Sequence, residues 1–240
     1  MSPAPPTVVL VHGAFTDAAG WLGVIDELQR DGIAVLAVAN PLRGLTCDAA
    51  YLASVVSQID GPVILVGHSY GGALITVAGT ADNVVGLVYV AAYALEEGES
   101  LSELQDRFPA SPLVGSLKQW TYPADGGKIA TEVSIAPEAF PSVFAADVSP
   151  SIVRVLAATQ RPLATSTFTE AASAAAWRTK PCWALVAGAD QAINPEVERF
   201  GAKRAGATTV ELEGASHAVA VSRPTAVADL IRDAVRATSG

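Results

Sequence analysis

The pentapeptide Gly67-His68-Ser69-Tyr70-Gly71 constrains this 240-residue chain more than any other stretch, because of what flanks it. Pro62 to Val66 reads as a short, fully buried strand, and Gly72 to Ala78 reads as a helix. A G-x-S-x-G sequence between strand and helix predicts a sharp, strained turn that lifts a serine hydroxyl above the carboxyl end of a parallel sheet. Glycines are required there because flanking side chains would collide in so tight a turn. With 20 Gly in the chain, chance alone gives on the order of 0.1 matches to the pentapeptide, so the strand-and-helix context carries the inference.

A serine hydroxyl is a poor nucleophile at neutral pH and needs a general base, which in turn needs an orienting carboxylate. The chain has three histidines, His12, His68 and His217. His68 lies inside the turn, where its side chain points away from the serine. His12 directly follows the first strand and is expected to bond backbone and shape the loop bearing Ala14. His217, just after the last strand-like run at 208–212, is the expected base. For the acid, the apolar run 182–187 ends in Gly188-Ala189-Asp190, ahead of a helix opened by Asn194 and Pro195. Asp190 and His217 thus leave neighbouring strand tips in the order serine, acid, histidine. Glu96 and Glu97, after the strand near 84–92, are the fallback acids.

Strands are expected near 7–11, 33–38, 62–66, 84–91, 181–187 and 208–213. Helices fall at 18–30, 47–59, 70–79 and 195–205, with a last one from Pro224 to about Ala237. Such alternation predicts an α/β fold, a mostly parallel sheet of about six strands covered on both faces. The core comprises 1–95 and 179–240. The interrupting segment 96–178 lacks a clear strand pattern and shows helical stretches near 100–107, 137–146, 149–158 and 168–177, so a helical cap is expected, inserted before the penultimate strand. Gly126-Gly127 is a candidate hinge within it.

The pieces Val-His-Gly-Ala-Phe (11–15), Gly-His-Ser-Tyr-Gly-Gly (67–72), Gly-Ala-Asp-Gln-Ala-Ile-Asn-Pro (188–195) and Gly-Ala-Ser-His-Ala (214–218) resemble the α/β-hydrolase superfamily. They look most like its small bacterial esterase branch, similar to pyrethroid hydrolases and plant methyl esterases, over nearly the whole chain. The resemblance implies an oxyanion hole made of the Tyr70 amide and that of Ala14, with Phe15 as a one-residue-shifted alternative. It implies a serine hydrolase that cleaves a small, largely apolar carboxylic ester or lactone through an acyl-enzyme on Ser69, using the triad Ser69, His217 and Asp190. Related hydroxynitrile lyases carry a threonine where this chain has Gly13 and a lysine where it has Ala218, which speaks against lyase chemistry. The same scaffold also leaves open cofactor-free haloperoxidase activity and a non-catalytic ligand-binding role. Expected substrate contacts are Phe15, Tyr70, Trp120 and Phe168.

No metal or organic cofactor is called for by this chemistry. With half its residues hydrophobic and 16% charged, the chain can bury one large core as a single domain. A formal charge of −9 with no basic patch argues against a nucleic-acid partner. No run approaches a membrane span, and residues 1–6 show neither a cationic nor an apolar leader pattern, so a cytoplasmic setting is expected. Cys47 and Cys182 are expected as two buried, unpaired thiols. Nothing in the motifs selects an ester over a lactone, a particular acyl group or an oligomeric state.

Overall fold

Runs of Val, Ile and Leu that are apolar on both faces make the centre of the sheet in the computed structural model, which describes residues 5–239. Most of the N-terminal stretch read above for a leader lies outside them. The strands are β1 (Thr7–Val11), β2 (Val35–Val38), β3 (Val63–His68), β4 (Val84–Val90), β8 (Cys182–Ala187) and β9 (Thr208–Leu212). They are ordered β2-β1-β3-β4-β8-β9, and every pairing is parallel. In β3, Val63 and Leu65 enter one core layer while Ile64 and Val66 enter the other, so these four positions are apolar on both faces.

Helices α1 (Leu22–Arg30), α8 (Val219–Ser222) and α9 (Pro224–Thr238) cover one face; α2 (Leu45–Val56), α3 (Tyr70–Ala78) and α7 (Pro195–Arg204) belong to the other. The start of α7 is formed as its sequence dictates. Asn194 accepts a hydrogen bond from the Glu196 N–H, and Pro195 occupies the first turn. The order of the sheet reverses at β1 and β3, whose carboxyl ends open the crevice where ligands bind in sheets of this kind.

The segment between β4 and β8 differs from the helical insert expected. It holds α4 (Leu101–Gln105), α5 (Phe140–Phe144) and α6 (Pro150–Ala158), but also a three-stranded antiparallel sheet of β5 (Leu117–Pro123), β6 (Ile129–Ile135) and β7 (Leu163–Ala164). The β5 sequence Leu-Lys-Gln-Trp-Thr-Tyr-Pro is half-exposed to fully exposed, so it lacks the apolar alternation by which a strand announces itself. Gly126 and Gly127, both at positive φ, turn the β5–β6 hairpin. The helix expected at 168–177 is replaced by short 3₁₀ turns at Thr165–Phe168 and Ala176–Arg178. Cys182 is buried as expected, whereas Cys47 is exposed on α2; both are free thiols. Among the described residues, no helix is long and apolar enough to cross a membrane.

Candidate active site

Ser69 occupies the turn between β3 and α3 with φ +56° and ψ −123°, a backbone state that costs a residue with a Cβ on the order of 1–3 kcal/mol. Its surroundings hold it there. The Ser69 N–H donates to the Val90 carbonyl at 3.2 Å, and its own carbonyl accepts from the Gly72 and Tyr93 N–H groups. Glycine makes the turn sterically open. A Cβ on Gly67 would stand 2.5 Å from the Gly71 carbonyl oxygen, and one on Gly72 would stand 2.6 Å from that of Tyr93. Gly13 is equally constrained, since a Cβ there would lie 2.6 Å from the Ser69 Cβ.

The three residues singled out by chain order come together. The Ser69 hydroxyl donates to His217 Nε2 at 2.9 Å, and His217 Nδ1–H donates to Asp190 Oδ2 at 2.5 Å. The other Asp190 oxygen accepts from the Ala192 and Ile193 N–H groups at 2.7 and 2.9 Å, which fixes the orientation of the carboxylate against the imidazole it serves. All three side chains are buried. The fallback acids lie elsewhere: Glu96 is held by Arg178 in a two-pronged ion pair, and Glu97 is exposed.

His217 is clamped from both sides by residues the sequence does not flag. His68 turns away from Ser69, as expected, and its Nε2–H donates to the His217 carbonyl at 2.8 Å. On the opposite side the inserted segment holds the loop. The Ala218 N–H donates to the Phe144 carbonyl at 2.9 Å, and the Ser216 hydroxyl donates to Asp147. Burial pushes the His68 imidazole from its ordinary 6.5 down to about 3, and neighbouring His217 adds to the effect. His68 is therefore a neutral donor throughout the physiological range.

His12 does what its position suggests. Its Nε2 accepts from the Asn40 N–H, so Nδ1–H donates to the Gly13 carbonyl, while the Asn40 side chain returns to the His12 carbonyl. Burial lowers the pKa of this imidazole as well. The loop that follows is thereby fixed, with the Phe15 N–H spent on the Arg161 carbonyl at 3.1 Å. Among the described residues, the Ala14 and Tyr70 amide N–H groups donate to no other group.

Behind Asp190 lies Glu198, on α7, which sequence reasoning missed. It is buried; one oxygen accepts from the Ala187 N–H at 2.9 Å, and the other has no partner. Burial raises its pKa well above the carboxylate range, and the adjacent charge of Asp190 raises it further. In sequence it passes for one of two acidic residues placed favourably in the first turn of a helix.

The expected substrate contacts divide. Phe15 and Phe168 line the hollow at Ser69, which holds about 20 Å³. Tyr70 lines it too, but its hydroxyl donates to the buried Asp48 at 2.8 Å and braces α2 against α3. Trp120 is a correction. It lies half-exposed on β5, its indole N–H donates to Ser134, and Lys118 covers its ring, so it stands apart from the serine hollow.

Residues 8–230 match the family model described as alpha/beta hydrolase family, and the chain belongs to that family. No match was found among curated proteins. Solved structures with the same fold include polyneuridine aldehyde esterase, 20% identical, with TM-score 0.81 over 96% of this chain and 99% of that one. A pyrethroid hydrolase from Sphingobium faniae JZ-2 is 21% identical, with TM-score 0.75 over 97% and 98% of the two chains. A methylesterase from Arabidopsis is 19% identical, with TM-score 0.76 over 96% and 99%.

Proposed function

We propose that the protein is a serine hydrolase of carboxylic esters or lactones. The observation that carries this reading is the unbroken chain of hydrogen bonds from Ser69 through His217 to Asp190 at the carboxyl end of β3. His217 Nε2 takes the hydroxyl proton as Ser69 Oγ attacks the carbonyl carbon. Asp190 holds the imidazole in the tautomer that leaves Nε2 free to accept, then stabilises the imidazolium. The alcohol departs with the proton from His217, and water releases the acyl group from Ser69 by the same steps in reverse.

The developing oxyanion is received by the Tyr70 and Ala14 amides. The engagement of the Phe15 N–H with Arg161 supports Ala14 over Phe15 as the second donor. Removing one such donor typically costs about 3 kcal/mol of transition-state stabilisation. Gly13 brings the donor loop against the nucleophile with no side chain between them. The apolar residues around the serine favour a small, largely hydrophobic acyl or alcohol group. The names of the structural neighbours, an esterase, a pyrethroid hydrolase and a methylesterase, are consistent with this chemistry.

Hydrolysis of p-nitrophenyl butyrate by the wild type and by Ser69→Ala tests the reading. Turnover in the wild type that disappears in the variant supports it; equal turnover in both overturns it.

A further inference from the structure

The hollow at Ser69 holds about 20 Å³, roughly enough for one water molecule and too little for an ester. A second cavity of about 430 Å³ lies next to it, within the size range of pockets that enclose small organic ligands. Phe15 is the one side chain common to the linings of both. The floor of the larger cavity includes His68, whose ring supports the His217 carbonyl, and the indole of Trp21. Its far wall is α6 with Leu156, and Thr159 at the C-terminal cap of that helix.

Three of its residues are large apolar side chains exposed to solvent: Leu22 at 67%, Ile152 at 46% and Val155 at 60%. Exposed apolar residues gathered at the mouth of an apolar cavity mark a place where a hydrophobic molecule enters. The larger cavity therefore has an opening and an apolar interior, and it shares Phe15 with the hollow at the nucleophile.

We propose that this cavity seats an unbranched or aryl hydrocarbon arm of the ester, and that Phe15 is the partition the arm displaces to bring the carbonyl to Ser69. The inference rests on the serine hydrolase reading and adds the substrate class: esters with one short side and one medium-length apolar arm. Phe15 suits the role of a partition. Its backbone is held at φ +62° and tied to Arg161, so the loop carrying Ala14 stays in place while the ring alone moves. Arms longer than the cavity project past Leu22, Ile152 and Val155 and gain little from further length.

The test is a chain-length profile. kcat/KM is measured for p-nitrophenyl esters from acetate to decanoate, to vary the acyl arm, and for alkyl acetates from methyl to octyl, to vary the alcohol. One of the two series should rise about fourfold per methylene, the value of burying one CH2. Leu156→Trp, and independently Thr159→Trp in case the first fails to fold, fill the cavity from α6. Each should lower the ratio of long-arm to short-arm kcat/KM at least tenfold. Phe15→Ala joins the two spaces and should raise that ratio.

Calorimetric titration of Ser69→Ala with methyl octanoate reads the cavity without turnover, and adding Leu156→Trp should weaken the Kd about tenfold. Flat profiles in both series overturn the proposal, as do filling variants that match the wild type in ratio and Kd. A wild type that hydrolyses no ester defeats the hydrolase reading, and the Ser69→Ala titration then decides the cavity by itself.

Discussion

Acidification from pH 7 to pH 5 should destabilise this protein through His68 in a way that a single substitution removes. The native imidazole stays neutral down to about 3, whereas in the unfolded chain it takes up a proton near 6.5. Between those two values the unfolded state binds more protons than the native one, so stability is lost as pH falls through 6.5 and the loss levels off near 3. At about 1.36 kcal/mol per unit once the unfolded histidine is fully protonated, the loss between pH 7 and pH 5 comes to about 2 kcal/mol. His68→Gln keeps an N–H able to donate to the His217 carbonyl but has no group that titrates. Its stability at pH 7 will be lower, because the ring packs edge-on against Trp21 and Phe144. The change between the two pH values is the quantity of interest, since His12 and every carboxylate contribute equally to both proteins. Urea unfolding at pH 7 and pH 5 should show the wild-type midpoint falling further than the variant midpoint by roughly 0.7–1 M, taking a slope of about 2–3 kcal/mol/M. Parallel losses in the two proteins would refute the assignment of His68 as a buried neutral donor.

Four further outcomes follow from the same geometry. Asp190→Asn should lower kcat by about four orders of magnitude with little change in KM. The Ala192 and Ile193 amides will hold the asparagine oxygen, turning its NH2 toward His217 Nδ1 and forcing the proton onto Nε2, where it blocks acceptance from Ser69; a pH-rate profile with intact folding by circular dichroism checks this. Gly13→Ala places a methyl 2.6 Å from the Ser69 Cβ and should cut kcat/KM about a hundredfold while the fold survives, read by esterase kinetics beside a melting curve. Glu198 has the opposite pH sign to His68. Burial and the adjacent Asp190 raise the pKa of its native carboxyl, so its contribution is lost as pH rises above the ordinary carboxylate value, and Glu198→Gln should melt higher than the wild type at pH 8 but not at pH 4. Glu198→Ala should instead cost about 2–4 kcal/mol by leaving the Ala187 amide unpaired beside a void.

The parallel core was legible because parallel strands are buried on both faces and advertise themselves as continuous apolar runs. The observed β1, β3, β4 and β8 fall within two residues of the spans expected at each end. The association of Ser69, Asp190 and His217 was legible for a related reason. Each leaves the carboxyl end of a strand, and once the strands are parallel those ends share one edge of the sheet. The inserted segment was not legible as a sheet. β5 mixes polar and aromatic residues with no apolar alternation, and although β6 alternates Ile129, Thr131, Val133 and Ile135 with Ala130, Glu132 and Ser134, that run is short and its partner strand carries no matching pattern. Trp120 departs from expectation on that account, because a large aromatic in a helical cap would turn inward, whereas on β5 it lies at the surface. His68, Asn40 and Glu198 act through burial and partners far away in sequence. His68 meets His217 across 149 positions, and no local pattern encodes such a contact.

The most direct test of the central claim is peptide-resolved mass spectrometry after reaction with a fluorophosphonate, run in parallel on the wild type and on His217→Ala. A single adduct on the peptide bearing Ser69, formed rapidly in the wild type and slowed by orders of magnitude in His217→Ala, is the result this account predicts. Ester turnover by a wild type whose adduct falls on another residue, or labelling of Ser69 at the same rate without His217, would contradict it.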